Sequence, residues 1–192
     1  MAWRLTQYLD KQGKRAVALR QDDAPGRRLA GAATTYELAL QAIAAGKDLL
    51  SLAMSQATGE EVDVAAALAD GRVLSPLDHP DDAHLLVAGT GLTHLGSAEG
   101  RDKMHRDMAD PAKQTDSMRM FRMGLDGGKP APGQTGVQPE WFYKGDGSIL
   151  ARPGGDLVSP FFALDGGEEP EIAGLYIVGP DGTVFRLGYA LG

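Results

Sequence analysis

Glycine and proline are concentrated in the second half of this chain and constrain its fold more than any other feature. The chain holds 26 glycines and 11 prolines, most of them after Gly124. Both residues mark turns, because glycine tolerates a positive φ and proline lacks the N–H that would continue a helix or a sheet ladder. Frequent turns favour short strands, so the sequence predicts a β-rich C-terminal half.

The first part of the chain is more helical. Residues 15–19 read as a strand, and Thr34-Thr35-Tyr36-Glu37 reads as a capping box that opens a helix. Gly46 is placed to end that helix, since glycine readily adopts the left-handed conformation of a helix terminus. Two more helices are predicted, over 47–57 and 62–69. Together these elements predict a small α/β cap.

Strands dominate the prediction for the second part, apart from a helix over 99–109 and a helix capped by Thr115 whose methionines favour core packing over a flexible lid. A Pro-Asp-Gly turn should join the last two strands as a hairpin. The predicted strands cover residues 85–89, 141–144, 148–150, 156–160, 172–178 and 184–186. The chain is therefore assigned to the α+β class, with a cap domain over 1–80 and a β-rich domain over 81–192.

Composition excludes several classes of function. The net charge is −7 and no dense basic cluster occurs, which argues against a nucleic-acid partner. The chain has no cysteine, which removes disulfides and thiolate chemistry. No signal peptide and no membrane-spanning apolar stretch is recognised, so we expect a soluble, cytoplasmic protein with no membrane partner.

Two carboxylates flank Pro170 immediately before a strand. Residues two apart in an extended chain project to the same side, so Glu169 and Glu171 should lie side by side. Two like charges held this close favour a proton or a cation between them, and carboxylate oxygens suit Mg²⁺ or Mn²⁺. The alternative interpretation is a solvated acidic turn that simply leads into the strand.

Three further residues are candidates for chemistry, each with a structural alternative. Lys144 ends an aromatic strand and could bind a substrate oxygen, or it is a solvated lysine at a strand end. His94 lies in a glycine-rich loop and could be a base or a hydrogen-bond donor, or it is an ordinary loop histidine. Glu99 should begin a helix, where the helix dipole alone explains a carboxylate.

Taken in order, four segments resemble the fumarylacetoacetate hydrolase superfamily, and the sugar-acid branch with its 2-keto-3-deoxy-pentonate dehydratase-like members in particular. The likeness covers about residues 72–192. It is carried by Leu74-Ser75-Pro76-Leu77, by residues 87–93 with Glu99, by Phe142-Tyr143-Lys144 through Ser148, Pro153 and Pro160, and by residues 169–174. The last segment corresponds to the Glu-x-Glu metal motif of that family.

The resemblance implies a divalent cation, Mg²⁺ or Mn²⁺, held by Glu169 and Glu171 and bound to a small-molecule 2-oxo acid. Lys144 would contact the substrate or its enolate oxygen, and Glu99 would act as acid or base. His94 is not at the position of the family's histidine and stays a candidate for substrate binding because of its place in the glycine-rich loop. The implied activity is a metal-dependent lyase, a dehydratase of a 2-keto-3-deoxy sugar acid. A homodimer is the implied assembly.

The chain departs from the family pattern in two places. The hydrolytic members carry a His–Glu pair after the strand, whereas Ser97 falls near the expected histidine here, which favours a lyase over a C–C hydrolase. The family's third metal carboxylate should follow the glutamate pair, but Asp181 is the only carboxylate after Glu171 and sits in a turn. The resemblance therefore implies a truncated family member, with a partial catalytic domain of that family over 81–192. A hydrolase or isomerase of an acylpyruvate or diketo acid, and an inactive fragment, remain alternatives.

Overall fold

The protein has a mixed α+β fold, as the sequence predicts. The structure, a computed structural model, describes residues 1–90, 115–137, 141–164, 166 and 170–192. Those residues divide into two compact units, one formed by Met1–Asp82 with Ile149–Gly192 and the other by Ala83–Ser148. The predicted domain boundary at residue 80 stays a prediction.

The first unit contains a four-stranded antiparallel sheet in the order β1-β2-β3-β4, together with three helices. It also contains a separate two-stranded hairpin. The strands of the sheet are β1 (Trp3–Leu9), β2 (Arg15–Gln21), β3 (Gly26–Leu29) and β4 (Ala57–Val62); the helices are α1 (Thr35–Ala45), α2 (Leu49–Gln56) and α3 (Val64–Ala69).

The second unit pairs β5 (Leu86–Thr90) with β6 (Trp141–Asp146) in an antiparallel arrangement and contains helix α4 (Asp116–Gly127). The hairpin of the first unit pairs β7 (Ile172–Val178) with β8 (Val184–Leu191). Short 3-10 turns occur at Asp82–His84 and Gly147–Ile149. Among the described residues, no helix is both long and apolar enough to cross a membrane.

The predicted boundaries of α1 are confirmed in detail. The Thr34 hydroxyl accepts a hydrogen bond from the Glu37 amide at 3.0 Å. The Glu37 carboxylate reaches back to the amide of Ala33 at 2.8 Å, one residue before the position that a capping box predicts. Gly46 ends the helix with a φ of 61°, the left-handed conformation for which glycine is best suited.

Strand β2 divides the core of the first unit between the two faces of its sheet. Val17 and Leu19 belong to the cluster that contains residues of α1 and α2. Ala16 and Ala18 belong to a second cluster, with Tyr8 and Val62, against which Val64 of α3 packs. This alternation is what a central strand requires when both faces of its sheet are covered.

Several predicted elements differ from the observed ones. Val62 ends β4 instead of opening a helix, because the Asp63 carboxylate caps α3 by accepting from the Ala66 amide at 2.9 Å. The strand predicted at 148–150 is a 3-10 turn, and the one predicted at 156–160 is irregular. Strands β1, β3 and β4 were not predicted from the sequence.

The prediction that the methionine-bearing helix α4 packs in the core is confirmed for only part of the helix. Thr115 caps the helix, as expected, through its hydroxyl and the Met118 amide at 3.3 Å. Met118 and Phe121 are buried, whereas Met123 is more than half exposed. The helix therefore has one packed side, and its methionines do not form a continuous buried stripe.

Candidate functional site

Lys144 occupies a bulge in the β5–β6 pair. Val87 lies opposite Gly145 and Ala88 lies opposite Tyr143, so Lys144 is the extra residue between two paired positions. Bulges re-aim side chains and are frequent next to functional sites. The side chain of Lys144 is exposed, in keeping with a group that can meet a ligand.

Gly89 allows two side chains of β6 to cross its backbone. A methyl group on Gly89 would come within 2.6 Å of a ring carbon of Phe142 and within 2.8 Å of the Cε atom of Lys144. The Lys144 ammonium lies 5.7 Å from the centroid of the Phe142 ring, within the range of a cation–π interaction. The end of the Lys144 side chain therefore lies between the backbone of Gly89 and the ring of Phe142.

Glu171 lies at the open end of the β7–β8 hairpin. Its amide donates to the carbonyl of Gly192 at 2.7 Å, and the Gly192 amide donates back to the Glu171 carbonyl at 2.9 Å. This reciprocal pair extends the ladder by one position beyond β7. The backbone of Glu171 is therefore ordered by the hairpin, and its side chain is exposed.

The other predicted site residues, His94, Glu99 and Glu169, lie outside the described residues. Lys144 belongs to the second unit and Glu171 to the first, and each is described within its own unit. Among the residues that the structure describes, no group of three or more acidic or histidine side chains is placed to hold a metal ion. The fit to Mg²⁺ or Mn²⁺ thus rests on the donor chemistry of Glu171 and its neighbour Glu169, which offer the hard oxygen ligands these ions prefer.

Asp181 has the structural role in the turn that the sequence suggested. Its carboxylate accepts from the Thr183 amide at 3.0 Å and from the Thr183 hydroxyl at 2.9 Å. These two hydrogen bonds, the one from the amide first, hold the pKa of Asp181 below its ordinary value. The carboxylate is thereby engaged in closing the turn between β7 and β8.

A buried polar network in the first unit was missed by sequence reasoning. Gln7 of β1 is fully buried; its amide oxygen accepts from the Thr35 amide at 2.7 Å, and its nitrogen donates to the Ser75 carbonyl at 2.6 Å. Asp78 joins the network through a weak 3.4 Å contact with Gln7 and an ion pair with Arg15 at 2.5 Å. The sequence does contain a signal for this burial. Every second residue in the series Trp3, Leu5, Gln7, Leu9 is apolar except Gln7, so Gln7 occupies a position expected to face the core.

The first unit has a cleft of about 480 Å³ whose lining includes Arg15, Arg28 and Glu60. Both cations are already paired, Arg15 with Asp78 and Arg28 with Glu60 and Asp10. The pKa of Asp10 lies below its ordinary value chiefly because the Lys14 amide donates to it, with Arg28 contributing further. Since these carboxylates offset the positive charge, the cleft has no strong preference for an anion.

No protein-family profile, no curated protein and no solved structure matches this chain. Any functional assignment therefore depends on the residues themselves.

Proposed function

We propose that this chain carries metal-dependent lyase chemistry of the fumarylacetoacetate hydrolase type, as a dehydratase of a 2-keto-3-deoxy sugar acid. The observation that supports this most is the placement of Lys144: an exposed lysine on a strand bulge, with its ammonium against Phe142 and its Cε atom close to Gly89. The sequence motif around Glu171 supports it independently.

Glu169 and Glu171 are the residues that would hold the divalent cation, and that ion would supply Lewis-acid polarisation of the 2-oxo group. Glu171 is suited to this by its exposure and by a backbone that is hydrogen-bonded to Gly192. The net negative charge of the chain does not argue against this proposal. Binding a sugar acid requires positive charge only next to the carboxylate of the substrate.

Lys144 supplies such a charge. Its ammonium donates hydrogen bonds to the carboxylate of the substrate or to the enolate oxygen that develops when the neighbouring carbon loses a proton. The cation–π contact with Phe142 limits the positions that the flexible side chain samples. A fixed cation at the developing charge lowers the barrier more than a mobile one, because less reorganisation is needed.

Glu99 takes the proton from the carbon next to the 2-oxo group, and His94 donates a hydrogen bond that orients the substrate. The β-hydroxyl then leaves with the proton that Glu99 has taken up, so one water is released, Glu99 is ionised again and the carbon chain stays intact. The two roles are carried over from the sequence, since both residues lie outside the described part of the chain.

The test is product analysis by mass spectrometry after incubation with Mg²⁺ and a panel of 2-keto-3-deoxy acids. A product lighter by one water supports the dehydratase. Two carbon fragments from an acylpyruvate would favour the hydrolase alternative, and no turnover of any 2-oxo acid by folded protein would contradict the proposal.

Lys144→Met is expected to lower kcat by about 10²- to 10³-fold, the range typical for losing one group that stabilises a developing anion. Lys129→Met is the matched control, because Lys129 is an exposed lysine in the same unit outside any helix or strand. Equal activity of the two variants would remove Lys144 from the mechanism.

A further inference from the structure

Arg20 differs from the other arginines of residues 1–82 in having no ion pair with any described residue. Its Nε atom is buried and has no hydrogen-bond partner. A buried charged donor is costly unless an acceptor meets it. The others are all paired: Arg4 with Asp23, Arg15 with Asp78, Arg27 with Glu61, Arg28 with Asp10 and Glu60, and Arg72 with Asp70.

The strand register places a second arginine opposite Arg20. Arg4 of β1 lies directly opposite Arg20 of β2, so both side chains leave the same face of the sheet. Directly opposed residues of an antiparallel pair have Cβ atoms about 4.5–5.5 Å apart, and like charges at that separation destabilise the sheet. An anion between the two groups would remove this repulsion.

The nearby carboxylates are engaged elsewhere. Asp22 accepts from the Ala2 amide at 2.7 Å, and Asp23 pairs with Arg4 at 3.0 Å. The side chain of Asp23 is 93% exposed, so its pairing with Arg4 is well solvated and weak. Neither carboxylate makes a hydrogen bond or an ion pair with Arg20 among the described residues, and Arg4 keeps donors for a second acceptor.

We propose that Arg4 and Arg20 form a binding site for a small oxyanion, a carboxylate or a phosphate group. The site lies on the face of the sheet that carries Ala18, opposite the face on which Leu19 packs with α1 and α2. Guanidinium groups match the paired oxygens of such ligands, and each can donate two parallel hydrogen bonds. This proposal uses neither Lys144 nor Glu171 and does not depend on the proposed lyase activity.

The test is calorimetric titration of the full chain with inorganic phosphate and, separately, with acetate at constant ionic strength. We expect saturable binding of at least one of the two anions, weakened about tenfold or more in Arg20→Gln and in Arg4→Gln, because each variant removes one charged fork. Binding of phosphate alone would identify a phosphate-type ligand, and binding of both would extend the site to carboxylates.

Arg27→Gln is the matched control, since it removes the same charge from the neighbouring strand β3, opposite Leu19 and therefore on the other face. It should bind as the wild type does. The proposal is overturned if the folded wild type binds neither anion, if Arg20→Gln and Arg4→Gln bind as tightly as wild type, or if Arg27→Gln loses binding equally. Thermal unfolding of each variant verifies its fold, and Arg4→Gln alone decides the question if Arg20→Gln does not fold.

Discussion

Gln7 connects three parts of the first unit through one buried side chain. It joins β1 to the start of α1 and to the segment around Ser75, which lie 28 and 68 residues further along the chain. A buried amide of this kind is favourable only while its partners are present. The side chain therefore fixes the relative position of these segments more than it adds net stability.

Replacing Gln7 by leucine should lower the free energy of unfolding by about 2 kcal/mol or more, because the Thr35 amide would be left buried without an acceptor. Urea denaturation measures this change. Gln12→Leu is the matched control on an exposed residue and should shift the free energy by less than about 0.5 kcal/mol. Equal stability of the Gln7 variant and the wild type would contradict the role assigned to the network.

The lowered pKa of Asp181 predicts how the stability of the β7–β8 hairpin depends on pH. Its pKa is lowered in the folded chain, so the hydrogen bonds from Thr183 stabilise the hairpin above the ordinary value of 3.8 and are lost as the pH falls through the folded pKa. Carboxyl-carbon NMR should give a titration midpoint below 3.8 for Asp181. Thr183→Val should move the midpoint only part of the way back, since the backbone amide, the larger cause, remains. A wild-type midpoint at or above 3.8 would show that these hydrogen bonds do not form.

At the scale of elements, helix α1 depends on its capping residues. Thr34→Ala should destabilise the protein by about 1 kcal/mol, because the Glu37 amide loses its acceptor. Thr34→Ser keeps a hydroxyl in the same place and should retain most of the stability. Thermal or urea unfolding of the two variants distinguishes the hydrogen bond from the lost methyl group, and equal destabilisation by both would contradict the capping role.

The elements that could be predicted are those whose ends are determined by local chemistry. Thr34 and Gly46 bound α1, and Asp181 with Gly182 closes the β7–β8 turn, whatever the rest of the chain does. Strand β4 has no such signal: its sequence, Ala-Thr-Gly-Glu-Glu-Val, has weak strand preference and is paired by β3. Strand β1 was obscured because buried Gln7 reads as a polar residue.

The candidate site likewise combines features that local sequence predicts with features that depend on strand pairing. The strand placement of Lys144 could be predicted from the aromatic run before it, but its bulge could not, since a bulge depends on the pairing register with β5. The close approach of Phe142 and Lys144 to Gly89 depends on that register as well. The arginine pair on β1 and β2 depends on a strand that was not predicted.

At the scale of the whole molecule, the net charge of −7 bears on binding partners, and the exposed apolar residues of the β7–β8 hairpin bear on its stability. The charge opposes nonspecific binding to nucleic acids. On the hairpin, Ile172 and Leu191 lie opposite each other and are 74% and 88% exposed, although a two-stranded hairpin alone is only marginally stable. The free energy that holds Glu171 in place is therefore expected to be small.

The most direct test of the proposed chemistry is calorimetric titration of the folded chain with Mg²⁺ and Mn²⁺ at neutral pH. Saturable binding of one ion is expected, and Glu171→Gln should abolish it. Glu61→Gln, a control on an exposed carboxylate of β4, should bind as the wild type does. Binding that survives in Glu171→Gln, or no binding by the folded wild type, would contradict a metal site at Glu169 and Glu171.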